Sequence, residues 1–256
     1  MKLIKILRSK PQLGGDPNQT ISPDDYLSAA VECLALIVVQ AWALAFMFSY
    51  DNILSNPLQD RMGYNNACVA WDVPPALYTS AVLFFLPVYF TVRFVLLDME
   101  RMALDSSISA SRKRFVFVLE SLFGASIVGV PLIFVLLPDE HPTAHTAVFI
   151  QFIGCFFLGI AAQFCEKPAT VDASSWVFLA VFGVTSCAYV VNLVVTLAQY
   201  EGVQDPFFPA KLGQGINILW FACIPLTTYF LPRQGQLQVT MSFLPESGDQ
   251  AKLMDG

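Results

Sequence analysis

Residues Phe115–Phe164, FVFVLESLFGASIVGVPLIFVLLPDEHPTAHTAVFIQFIGCFFLGIAAQF, hold two apolar runs, each longer than eighteen residues, joined by the short polar turn PDEHPTAH. Apolar runs of that length are candidates for helices that cross a bilayer, and a turn this short makes them an antiparallel hairpin. Each run carries small or polar residues at helical spacing. On the first these are Ser121, Ala125 and Gly129, with Gly124 beside them. On the second they are Ala147, Gln151, Cys155, Gly159 and Gln163, one every four residues. Residues four apart share a helix face, and small faces let backbones approach where lipid offers no hydrophobic drive. The stripes therefore read as packing seams, with Gly129 as the point where another helix approaches.

The rest of the chain repeats the pattern. Its 256 residues are 55% hydrophobic and 13% charged, whereas a soluble domain is roughly a quarter charged. Six spans are expected, at about 27–50, 76–97, 115–137, 145–164, 175–198 and 214–231, giving an all-α, six-helix transmembrane bundle. Residues 1–26 and 232–256 are polar tails. Of the 14 Lys and Arg, all but Arg61 and Lys211 fall on the side of the tails and of the 98–114 and 165–174 connections. Basic residues mark the cytoplasmic side, so both termini are expected there. The membrane is then an endomembrane or the plasma membrane. No apolar core with a small-residue cleavage site precedes the first span, so a cleaved signal peptide is not expected.

Two connections on the outer side are distinctive. DNILSNPLQDRMGYNNACVAWDVPP (51–75) is long, with Trp71 and a Pro-Pro exit; YEGVQDPFFPAKLGQ (200–214) is aromatic. Loops of the first length are often functional. In the carboxyl tail, Leu237, Val239, Met241 and Phe243 alternate with polar neighbours, as in an extended segment with one apolar face.

Composition also narrows the chemistry. A net charge of −6 argues against nucleic acid as a partner. Six cysteines occur without CxxC or Cys/His ligand spacing, so neither a disulfide framework nor a metal site is expected. There is no GxSxG, Gly-rich phosphate loop or HExxH, and no catalytic residue is assigned. The two histidines, His141 and His145, stand at a membrane boundary, which excludes haem held by paired intramembrane His. Bound lipid is the expected small-molecule companion, and no cofactor is expected.

Two polar layers follow from the orientation. Glu32, Arg93, Glu120 and Gln163 lie toward the cytoplasmic side; Arg93 is expected to pair with Glu120 and Glu32, because a carboxylate inside a span is costly without a cation. His145, Asn192 and Asn217, with Gln151 deeper, form an outer layer that either glues helices together or floors a small cavity under the first outer loop.

In its order of features the chain resembles the damage-regulated autophagy modulator family, with relatives in GPI-anchor lipid remodelling and phosphoinositide-kinase scaffolding. The resemblance rests on WDVPPALYTSAVLF, on RFVFVLESLFGASIVG leading into HTAVFIQFIGCFFLG, and on the closing INILWFACIPLTTYFLPRQGQLQVTMSF. The matching positions are Pro74 and Pro75, Gly124 and Gly129, and His145 with Ala147 and Phe149. The long amino-terminal tail departs from the family, and so does Asn217 ahead of Trp220, where the family tends to carry an acid. The resemblance implies a non-catalytic regulator or scaffold that works through membrane lipids, partner membrane proteins or its own oligomer. Two other readings of the residues stay open: an accessory subunit of a larger respiratory or photosynthetic complex, and a small-solute transporter or channel.

Overall fold

The computed structural model describes residues 18–200 and 208–240 and is all-helical apart from one two-stranded ladder. After β1 (Asn18–Ile21) come α1 (Pro23–Phe48), the short α2 (Tyr50–Leu54) and α3 (Pro57–Met62), and a 3-10 turn at Ala67–Trp71. Next are α4 (Ala76–Leu83), α5 (Phe85–Leu104), α6 (Ala110–Gly129), α7 (Pro142–Glu166), α8 (Ala173–Tyr200), α9 (Ala210–Phe230) and β2 (Leu237–Thr240). Among the described residues, five stretches are long and apolar enough to cross a membrane: Pro23–Phe48, Ala76–Leu104, Ala110–Phe134, Pro142–Glu166 and Ala173–Val195. They suit an integral, multi-pass membrane protein. The helix over the expected last span, α9, is less apolar because Gln214, Asn217, Thr227 and Thr228 interrupt it.

Prolines set the irregularities. Pro87 has no N–H for the Leu83 carbonyl and its ring crowds that turn, so the second long stretch breaks at Phe84 into α4 and α5. Pro131 ends α6 in the same way, and the chain continues as a 3-10 turn over Val130–Phe134.

Each long helix packs on the next, α1 on α5, α5 on α6, α6 on α7, α7 on α8 and α8 on α9, and α9 closes the ring against α1. The α6–α7 hairpin is tightly apposed. Inside the ring lies an aromatic layer of Phe149, Phe152, Phe156, Phe182, Tyr189 and Trp220, with edge-to-face pairs such as Phe156–Phe182 at 5.9 Å between ring centres. Outside, Val39, Phe46, Val82, Leu122, Val184, Ile218 and Leu226 are exposed, an apolar surface of the kind a bilayer covers.

The small stripes behave differently from the expected seams. Each step of four residues overshoots a full turn by about 40° at 3.6 residues per turn. The α7 stripe therefore winds around its helix: Ala147 and Gln151 are exposed, Cys155 is half-buried, and Gly159 and Gln163 are buried. On α6, Ala125 is exposed, while Ser121, Gly124 and Gly129 are half-buried. A Cβ on Gly129 would meet only the Gln151 side-chain oxygen, at 3.9 Å, whereas one on Gly159 would lie 2.4 Å from the Phe123 ring. The close approach in the hairpin is at Gly159; Gly129 sits where α6 gives way to the 3-10 turn.

The two tails meet. β1 and β2 pair antiparallel, Ile21 opposite Leu237 and Asn18 opposite Thr240. The alternating carboxyl segment is thus extended, and its partner is the chain's own amino-terminal segment. Met241 and Phe243 lie outside the described residues, as do Lys2, Lys5, Arg8 and Lys10.

Candidate functional site

Polar groups gather at both ends of the ring. At the end that carries the tails, Arg101 lies at the centre. The helix expected to end near residue 97 runs on to Leu104, which places Asp98 and Arg101, three apart, on one inward face. Arg101 is 5% exposed. Its Nε donates to Asp98 Oδ1 (2.7 Å), and its Nη1 and Nη2 donate to Glu166 Oε1 and Oε2 (2.8 and 2.5 Å), the planar fork matching both carboxylate oxygens. Nη1 also reaches the Gln234 carbonyl at 3.2 Å. Gln163 Nε2 donates to Glu120 Oε1 (2.7 Å) and more weakly to Asp98 Oδ2 (3.5 Å). Gln234 donates its side-chain amide to the Gln163 carbonyl and its backbone N–H to Asp24 Oδ2 (3.2 Å). One cluster thereby ties α1, α5, α6, α7 and the carboxyl tail. At its edge Lys167 donates to Asp105 across 2.6 Å, and this holds the Asp105 carboxyl well below the usual range.

The expected Glu32–Arg93–Glu120 set is not the one that forms this cluster. Arg93 stands over the Tyr26 ring of α1, 5.8 Å from its centre, while Glu120 bonds Gln163. Asp98 is five residues beyond Arg93, hence about 140° around the helix and about 7.5 Å along it. Arg93 faces α1, and Asp98 faces α6 and α7. Glu32 is half-buried on α1.

At the opposite end the first loop inserts into the ring. Asn66 and Trp71 are buried, and Trp71 packs against Phe84, Phe134 and Phe221. Asn66 Oδ1 accepts from Tyr189 OH (2.6 Å), Asn217 Nδ2 (2.9 Å) and Cys68 N–H (3.2 Å). Asn217 also donates to Tyr189 OH at 2.5 Å and accepts from the Ala67 N–H at 2.9 Å. Asn192 donates to Tyr64 OH across 2.7 Å. Tyr64 in turn presses on α9: a Cβ on Gly213 would lie 2.7 Å from its ring. Of the expected outer layer, then, Asn217 joins Tyr189 of α8 and Asn66 of the loop, Asn192 bonds Tyr64 of the loop, and the loop fills the space it was expected to cap. Gln151 is exposed and stands apart.

His145, in the first turn of α7, belongs to a neighbouring group. Its Nδ1 is 2.8 Å from the Leu136 carbonyl, and its Nε2 faces Asp72 Oδ1 at 3.9 Å. Cys68 Sγ completes a trio whose ligand-type atoms all lie within 4.8 Å of one another. Burial pushes the Asp72 carboxyl well up, and Asp139 adds to the shift; burial and the nearby Asp72 do the same to the Cys68 thiol. The sequence assigned no metal ligand, because Cys68 and Asp72 are four apart on a 3-10 turn and His145 lies on a distant helix.

A groove of about 450 Å³ runs between α1 and α9 at this end, lined by Trp42, Phe46, Tyr50, Ile218 and Phe221 with Asn65 and Gln214. It is apolar and open to the outside of the ring. Comparison with protein-family models, curated proteins and solved structures finds no match to this chain.

Proposed function

We propose that the chain is a six-span membrane protein, both termini cytoplasmic, that serves as a regulator or scaffold through the lipids and partner proteins it touches. The observation that carries this reading is the sealed interior. The polar groups at the two ends are engaged largely with one another, and the aromatic layer around Trp220 lies between them. A transporter needs polar groups in a continuous route through the bundle; this interior offers two separate clusters with rings between. Activity is then left to the outer surface and to the paired tails. The α1–α9 groove is apolar with a few polar groups at one end, the chemistry of a lipid with its headgroup near the membrane surface. For the sixth span, α9 has 21 residues, about 31 Å at 1.5 Å per residue, and turns Asn217 and Thr227 inward while Ile218, Leu219 and Leu226 face out. The resemblance to the autophagy-modulator family points the same way.

The test is purification in native-lipid discs, with mass spectrometry of the retained lipids and proteins. A lipid held through washing in the wild type and lost in Ile218→Trp, which fills the groove, supports the reading. Recovery only as a stoichiometric part of one large assembly would favour the accessory subunit, and solute flux in proteoliposomes would favour the transporter.

A further inference from the structure

The trio at the loop end is built as a ligand set. The Leu136 carbonyl can only accept, so His145 Nδ1 carries the proton and Nε2 presents a lone pair. That nitrogen is on a residue 3% exposed and has no hydrogen-bond partner among the described residues. Asp72 Oδ2, on a side chain 11% exposed, has none either. The unpaired His145 nitrogen thus faces the Asp72 carboxyl with Oδ1 at 3.9 Å, too far for a proton to be shared between them, while Oδ2 of the same group is also unpaired and a buried thiol stands beside them. Unpaired buried acceptors are costly, and a cation between them removes the cost.

From this geometry we infer that Cys68, Asp72 and His145 form a binding site for a zinc-class divalent cation. A thiolate, an imidazole and a carboxylate are the ligand types zinc takes. At ordinary bond lengths and tetrahedral angles their donor atoms stand about 3.4–3.6 Å apart. The 3.9 Å between His145 and Asp72 closes to that spacing with a shift of about 0.5 Å, and the 4.8 Å bound on the trio with at most about 1.4 Å. The His145–Leu136 bond is the outer-shell contact that fixes the tautomer and aims the ring in metal sites. An entry path is present as well. Asp72 lines an open cleft of about 340 Å³ together with Asn52, Asn56, Tyr78 and the exposed Asp139, whose charge attracts a cation toward it. Three protein ligands leave a fourth position, the arrangement of zinc centres that hold a water or an exogenous ligand. The site pins the inserted first loop to α7, and it stands independently of the scaffold reading.

The full chain, purified in mild detergent and stripped with chelator, is titrated with Co²⁺ and then Zn²⁺. The expected result is one Co²⁺ per chain with a thiolate-to-cobalt absorption band that Zn²⁺ abolishes. Cys68→Ser should lose that band, and His145→Ala should weaken binding at least tenfold, while Cys33→Ser leaves both unchanged. Absence of the band in the wild-type chain, or its persistence in Cys68→Ser, overturns the proposal. Should Cys68→Ser fail to fold, X-ray absorption of the Zn²⁺-loaded wild type decides: a shell with one sulfur supports the site, and an oxygen-only shell refutes it.

Discussion

Replacing Arg101 by Leu leaves Asp98 and Glu166, both fully buried, without the guanidinium that binds them. Four hydrogen bonds to Arg101 disappear, three of them to carboxylate oxygens at 2.5–2.8 Å. Removing one partner of such a buried pair costs about 3–5 kcal/mol, because the remaining charges stay buried and unpaired. For a chain of this size 1 kcal/mol moves the thermal midpoint by about 2–4 °C, so Arg101→Leu should lower it by roughly 6–20 °C. Arg101→Lys keeps the charge but lacks the planar fork, and should cost about 1–3 kcal/mol. Arg93→Leu loses mainly its stacking on Tyr26 and should cost about 0.5–1 kcal/mol. The assay is thermal unfolding in detergent, extended to a double-mutant cycle with Glu166→Leu, where a coupling above about 1 kcal/mol is expected. Equal effects of Arg101→Leu and Arg93→Leu, or an additive cycle, would show that Arg101 does not hold the two buried carboxylates.

Gly159→Ala should destabilise by about 1–3 kcal/mol, because its Cβ overlaps the buried Phe123 ring. Gly129→Ala should stay within about 0.5 kcal/mol, and the order of the two unfolding midpoints checks this. Asn217→Asp should be destabilising although nearly isosteric: Asn217 donates to Asn66 Oδ1, and a carboxylate would set oxygen against oxygen there. Unchanged unfolding of Asn217→Asp would show that the amide does not donate. Asp172 accepts from the Ser175 N–H at the start of α8, and its hydrogen bonds to Ser174 and Ser175 hold its carboxyl down at about 2. Since the folded value lies below the ordinary 3.8, its contribution is full above about pH 4 and is lost as pH falls toward 2. The difference in midpoint between wild type and Asp172→Ala should therefore shrink over that range, and a constant difference would contradict it.

The apolar runs and the hairpin were legible because membrane helices announce themselves by length and hydropathy alone. Their ends were not. Hydropathy stops at residue 97, whereas helical hydrogen bonding runs to Leu104, so Asp98 and Arg101 read as aqueous loop charges when they are the inward face of a continuing helix. Their spacing of three, with Glu166 at the end of α7, was the available signal. The small stripes misled because four-residue spacing drifts around a helix over several turns, so Gly159 and Ala147 cannot share one face. Asn192 and Asn217 were visible as polar residues in apolar runs; their partners Tyr64 and Asn66 were not, because nothing local tells which loop residues fold back inside. The Cys68–Asp72–His145 trio is non-local for the same reason.

A closed ring of six spanning helices stands or falls with α9. Of the long described helices, α9 alone falls short of the apolar length of a spanning helix, and its crossing sets whether the termini share a side. Tags placed at both ends of the chain, in sealed right-side-out vesicles treated with external protease, read this directly. Both tags should survive until detergent opens the vesicles, since the pairing of β1 with β2 gives them one fate and the distribution of basic residues puts them inside. Cleavage of either tag in sealed vesicles would contradict this.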